Sequence, residues 1–144
     1  MVPVPEDYVI DVMQYVARLV ARASILPWDE EAMTKLFGAV DEAGRSLLSL
    51  VARSTLANKA IVEQDVADLL ELNVREVRDI LRDLADGARE AARDAPIVAR
   101  DGSMPLPNGR SIEVRRYEMD EAVARFVRAA EQAERDAASA AETG

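Results

Sequence analysis

Five arginines, Arg75, Arg78, Arg82, Arg89 and Arg93, recur at helical spacing in the middle of the chain. On a helix that opens at Asn73 they lie close to one line, and a line of guanidiniums can meet phosphates or base edges. A second line, Glu76, Asp79, Asp83, Asp86, Glu90 and Asp94, runs beside them. Arg75 with Asp79, and Arg82 with Asp86, have the four-residue spacing of intrahelical ion pairs. Between positions 61 and 94 there are 5 basic and 10 acidic residues, whereas a duplex-binding surface carries local positive charge. The arginines therefore support two chemistries: contact with nucleic acid, or a solvated, salt-bridged helix face.

Other chemistry is poorly supplied. The chain has no cysteine and no histidine, which removes thiol nucleophiles, Cys/His zinc sites and imidazole acid–base catalysis. Carboxylate pairs such as Asp65/Asp68 and Asp79/Asp83 share helical faces, but no spacing matches a calcium loop or a metal-dependent hydrolase. The Asn108–Ser111 stretch lacks the glycines and lysine of a phosphate loop. Four serines and threonines lie between Ser46 and Thr55 without a histidine to activate one. The expectation is a protein that is not an enzyme and uses no cofactor or metal.

The elements that position these residues follow from periodicity and caps. The chain has 144 residues, 49% apolar but only 4% aromatic, enough for one domain of closely packed helices. Pro5, Glu6 and Asp7 suit the opening of a first helix running to Ile25, apolar on more than one face. Asp29 caps a second helix, expected to run to about Arg53, with Trp28 and Met33 as a staple across its start. Leu36, Phe37, Val40, Leu47, Leu48 and Val51 should face inward, and Gly44 suits a close helix contact or, equally, a solvent-facing position. Two shorter stripes follow, Val66, Ala67 and Leu70, then Val77, Ile80, Leu81 and Leu84. Asn73 and Glu76 between them form a capping box. Ala95-Pro96 closes the long helix, with Gly87 as an earlier kink.

The unit from Ile61 to Asp94 resembles a helix-turn-helix. Ala67 matches the small residue of the first helix, Leu70 its last core leucine, and Leu72 the apolar residue of the turn. Asn73 matches the residue that opens the recognition helix, and Val77 and Ile80 match its buried anchors. Glu71 stands where the family usually has glycine, so the turn is made with a side chain present. Asp79 stands where many members show DNA a basic or polar residue.

Beyond Pro96 the pattern changes to two strands, Ile97–Arg100 and Ser111–Tyr117, with Asp101-Gly102 and Asn108-Gly109 as turn-forming pairs. A hairpin in this position resembles the wing of a winged-helix domain. Arg100, Arg110, Arg115 and Arg116 give residues 95–119 a net charge of +1, with 4 basic and 3 acidic residues. A last helix, from about Asp120 to Ala138, carries Val123, Phe126, Val127 and Ala130 on one stripe.

The reading is a mainly α fold, a helical bundle with a helix-turn-helix and a β-hairpin, winged-helix-like, in a single domain over 1–144. Its parts are an N-terminal helical pair (1–53), the helix-turn-helix-like core (60–94), the wing (95–118) and a C-terminal helix (119–141). The resemblance implies a DNA-binding regulator that dimerises through its N- and C-terminal helices. Asn73, Arg75, Arg78 and Arg82 would enter or flank the major groove of double-stranded DNA, and Arg110, Arg115 and Arg116 would serve the wing. A net charge of −9 opposes nucleic acid on average but not at a local patch. The alternative is an acidic helical adaptor for a protein partner, with a histone-fold-like core over residues 29–72. There a long helix, a short strand-like pair and the Asp65-Val66 helix start would succeed one another. Without a leader-like segment or an apolar run near the length of a membrane span, a cytoplasmic location is expected, nucleoid-associated if the protein binds DNA.

Overall fold

The computed structural model describes residues 25–143, so the helix expected from Tyr8 and the arm before it fall outside the described residues. Two helices come first, α1 (Glu30–Ala39) and α2 (Glu42–Leu56), followed by a two-residue strand, β1 (Ile61–Val62). Helices α3 (Glu63–Leu70) and α4 (Val74–Glu90), strands β2 (Val98–Pro105) and β3 (Ser111–Glu118), and helix α5 (Glu121–Thr143) complete the order. The three strands form one antiparallel sheet in the order β1-β3-β2. A helix pair joined by a tight turn, with a hairpin stitched to the strand before it, is a mainly α, winged-helix-like architecture.

Local chemistry accounts for most of these boundaries. Asp29 caps α1 by accepting from the Ala32 N–H at 2.7 Å. The single helix expected from Asp29 to Arg53 is broken, however, at Val40-Asp41. Val40 turns extended, and Asp41 starts a new helix by accepting from the Gly44 N–H at 2.9 Å. Gly44 makes room for this reversal, since a Cβ there would sit 3.1 Å from the Cβ of Val40. An uninterrupted central helix is what a histone-like core requires, and the break removes that reading. Gly87 does not kink α4; it lies where α1 crosses, with Leu36 so close that an added Cβ would stand 2.9 Å from its Cδ1.

The turn between α3 and α4 is made as the sequence implies. Glu71 adopts the left-handed region (φ 58°, ψ 40°), and the Leu72 N–H returns to the Ala67 carbonyl at 2.9 Å. Asn73 then opens α4 with a full capping box: its side chain accepts from the Glu76 N–H at 2.8 Å, and Glu76 accepts from the Asn73 N–H at 3.2 Å. Val77, Leu84 and Ala88 are buried, while Ile80 and Leu81 pack at the margin.

The core unites all these layers. Met33 and Phe37 of α1, Leu47, Leu48 and Val51 of α2, Val66 of α3, Val77 and Leu84 of α4, Tyr117 of β3 and Val123 and Val127 of α5 form one cluster. Glu131 of α5 is also buried; it draws Arg128 to 2.7 Å and lies 3.9 Å from Arg53 of α2.

The hairpin is longer than expected. Asp101-Gly102 is not a turn but lies inside β2, opposite Arg115 and Val114. The reversal is made by Pro107-Asn108-Gly109, where the Gly109 N–H donates to Leu106, Leu106 donates to Arg110, and Gly109 takes φ 81°. Proline preset at the first central position and a positive-φ glycine at the end suit a type I turn with a glycine bulge, so this pair outcompetes Asp101-Gly102.

The left-handed Glu71 generates a stability prediction. A residue with a Cβ loses about 1–2 kcal/mol in that region, partly offset by the greater freedom glycine has in the unfolded chain. Glu71→Gly is expected to stabilise the fold by about 0.5–1 kcal/mol, read as a rise of about 3 °C in thermal midpoint. Glu71→Val should lower it.

Candidate nucleic-acid interface

The proposed interface is built around a carboxylate that sequence reasoning did not single out. Glu63 is the first residue of α3, directly after the β1 pair, and is only 8% exposed. Pairing of Ile61 with Tyr117 and Val62 with Arg116 brings the start of α3 against β3. Three side chains then converge on Glu63. Arg78 of α4 donates through Nε to Oε2 at 3.0 Å and through a terminal nitrogen to Oε1 at 2.8 Å. The Tyr117 hydroxyl donates to Oε2 at 2.7 Å, and Arg115 Nε stands 3.8 Å from the same oxygen.

The electrostatics follow from this geometry. The Arg78 hydrogen bonds hold the Glu63 carboxyl below its ordinary value of 4.5; burial opposes them, and Tyr117 and the charges of Arg78 and Arg115 add to them. Arg78 is raised in turn, first by its hydrogen bond to Glu63. Burial first, and then the bond to Glu63, push the Tyr117 hydroxyl far above its usual range, so it stays a donor. Glu63 also sits at the N-terminus of α3, where partial positive charge favours a carboxylate. One acidic group thereby ties both helices of the helix-turn-helix to the hairpin.

Between α4 and the hairpin runs a groove of about 630 Å³, lined by Glu63, Arg78, Asp101, Ser103, Glu113 and Arg115 among others. Three carboxylates face two guanidiniums there. The groove floor, as the described residues line it, is therefore not an anion cradle.

The expected site residues separate into distinct situations. Arg75, in the first turn of α4, is exposed and forms no ion pair or hydrogen bond through its guanidinium among the described residues. Arg110, at the end of the hairpin turn, is exposed and its side chain likewise has no partner among the described residues. Asn73 has its side-chain carbonyl oxygen engaged in the capping box, and its amide nitrogen has no partner among the described residues. Arg82 bonds Asp79 at 3.1 Å rather than the expected Asp86, and Asp86 is taken by Arg89 at 3.7 Å. Arg78 is consumed by Glu63. Arg115 and Arg116 are neighbours in an extended strand and so face opposite sides of the hairpin. Arg115 looks toward Glu63, and Arg116 reaches the Ser103 carbonyl at 3.5 Å. The two cannot steady the same phosphate from one face.

Glu63 was not legible from spacing, because its partners lie 15 and 54 residues away. The usable signal was a carboxylate at the first position of a helix straight after an apolar β pair.

A carboxyl with a depressed folded pKa adds stability that is fully present above its unfolded value, and loses it as pH falls through the folded one. Glu63→Gln is expected to cost about 2 kcal/mol at about pH 7. The gap to the parent protein should narrow steadily once pH drops below the ordinary carboxylate value of 4.5. Urea unfolding of both proteins across that range reads the difference directly, and a gap independent of pH would remove the ionic role assigned to Glu63.

The chain matches no protein-family model and no curated protein sequence. Among solved structures it is similar to a mutant of ZitR from Lactococcus lactis, with a TM-score of 0.45 and 15% identity over 98% of this chain and 83% of that one. It is also similar to a possible transcriptional regulator from Methanosarcina mazei Go1, with a TM-score of 0.40 and 13% identity over 79% of this chain and 85% of that one.

Proposed function

We propose that this chain is a winged-helix DNA-binding regulator that acts as a homodimer. The observation that carries the reading is the Glu63 junction. It fixes α4 and the hairpin in one orientation while Arg75 and Arg110, at the two exposed ends, have no side-chain partner among the described residues. In this reading the first turns of α4 enter the major groove, with Asn73 and Arg75 toward the bases. Arg82 exchanges Asp79 for a phosphate, and Arg110 and Arg116 hold the wing to the backbone. Arg78 and Arg115 act as positioning residues through Glu63 rather than as principal contacts.

The dimer reading draws on α5. Its buried positions run from Val123 to Glu131, yet the helix continues to Thr143, with Ala133, Ala137 and Ala138 exposed. An alanine-lined continuation can pack closely against a second helix, together with the N-terminal segment.

The second reading, an acidic adaptor for a protein partner, is favoured by one specific feature. Glu76, Asp79, Asp83, Asp86 and Glu90 are all exposed on α4, the helix that would have to approach phosphates.

Fluorescence anisotropy against a random-sequence duplex, at about 50 and 200 mM salt, separates the two. The DNA reading expects affinity that falls steeply with salt. Arg75→Ala and Arg110→Ala should each weaken binding with little effect on thermal stability, and a phosphate contact at either position should lower the salt slope by about 1. Arg78→Ala should lower stability as well as binding. No binding at the lower salt would leave the adaptor reading, and sedimentation of the same samples reports the oligomeric state.

A further inference from the structure

A second cleft, of about 570 Å³, lies away from the groove between α4 and the hairpin. Among the described residues its walls come from four parts: the segment before α1 (Pro27, Trp28), the linker after α4 (Asp94 to Pro96), the base of the hairpin (Val98, Arg100, Glu118) and the start of α5 (Asp120 to Phe126). The size is that of a small-molecule site.

The linkage that builds the cleft is specific. The Leu26 N–H donates to the Ala92 carbonyl at 2.8 Å. The Arg93 guanidinium reaches the Pro27 carbonyl at 3.2 Å and Asp29 at 3.3 Å. The indole N–H of Trp28 donates to the backbone carbonyl of Asp94 at 2.9 Å, which fixes the ring at the cleft wall. Phe126 and Trp28 are both only partly buried, and Val98 is 49% exposed. An aromatic and aliphatic wall is therefore left open to a ligand.

The rim has a definite sign. Among the described residues, Asp94, Glu118 and Asp120 face one base, Arg100. Arg100 is bound to Glu118 at 2.9 Å, which leaves two carboxylates in excess. Asp120 uses one oxygen to accept from the Ala122 N–H at the start of α5. The Asp94 carboxylate has no hydrogen-bond or ion-pair partner among the described residues. Such a rim opposes anions, and an aromatic face beside it attracts cations.

We propose that this cleft binds a small amphipathic cation, an aryl or alkyl ammonium. Its apolar part lies against Trp28, Val98 and Phe126, and its charge faces Asp94 and Asp120. The site does not rest on DNA binding, and its test does not use DNA.

Trp28 is the only tryptophan of the chain, so its emission reports the cleft in the intact protein. Titration with benzyltrimethylammonium is expected to give a saturable change in emission. Tetramethylammonium, which lacks the apolar arm, and 3-phenylpropionate, which reverses the charge, should each bind at least about tenfold more weakly. Asp94→Asn keeps the backbone carbonyl that holds the indole and should weaken the aryl ammonium about fivefold. Val98→Gln should weaken it while leaving tetramethylammonium unchanged. A flat titration, equal binding of the carboxylate, or affinity indifferent to Asp94→Asn would each overturn the assignment.

Discussion

A carboxylate withdrawn from water must find donors or give up its charge. Glu63 finds them in three side chains that belong to two other elements, Arg78 of α4 and Tyr117 and Arg115 of β3. That requirement couples the parts of the winged unit. Neither β1, with two residues, nor the α3–α4 turn could fix the hairpin relative to α4 by itself. The apolar cluster beneath supplies most of the cohesion, but apolar contact is non-directional. The bidentate guanidinium and the phenolic hydroxyl add direction, because each bond fails if α4 slides or the hairpin rotates.

The same constraint decides which cations remain free. On α4, successive arginines meet different neighbours: Arg75 none among the described residues, Arg78 the buried Glu63, Arg82 the exposed Asp79, and Arg89 the exposed Asp86. Exposed pairs of this kind are worth little and exchange easily for another anion. The Arg78 pair is different, since releasing it would leave a buried carboxylate without its main donor. One line of arginines in sequence thus becomes one fixed post flanked by exchangeable or unpaired groups.

Legibility tracked the range of the interactions. The capping box of Asn73 and Glu76, the cap at Asp29, the left-handed Glu71 and the inward stripe of Leu47, Leu48 and Val51 depend on residues within a turn or two. Each is written in the local pattern. The break at Val40-Asp41 was also local, yet apolar periodicity runs through it; there the Asp41-to-Gly44 cap starts a new helix, and both α1 and α2 then pack against α5. Asp101-Gly102 looked like a turn, but cross-strand pairing with Val114 and Arg115 held it in β2 while Asn108-Gly109 supplied the reversal. The histone-like order failed at the Val40-Asp41 break; Ile61 and Val62 do form the short strand, but their partner is the distant β3. Glu63 was invisible because nothing within ten residues explains its burial.

The distribution of charge bears on how this chain would meet a duplex. Affinity for any duplex grows with the number of phosphates neutralised, and it is this sequence-independent part that rises with net positive charge. Base-edge contacts depend on geometry instead. A protein whose α4 carboxylates occupy its own arginines, and whose groove holds Asp101 and Glu113 beside Arg115, weakens the first contribution more than the second. The ratio of specific to random-site binding governs occupancy in a genome, and an acidic frame around a few rigidly held donors raises that ratio at the expense of absolute affinity. Under the DNA-binding reading, the charge of −9 then acts as a filter on where the protein stays bound, with the Glu63 junction supplying the rigidity that such a filter needs.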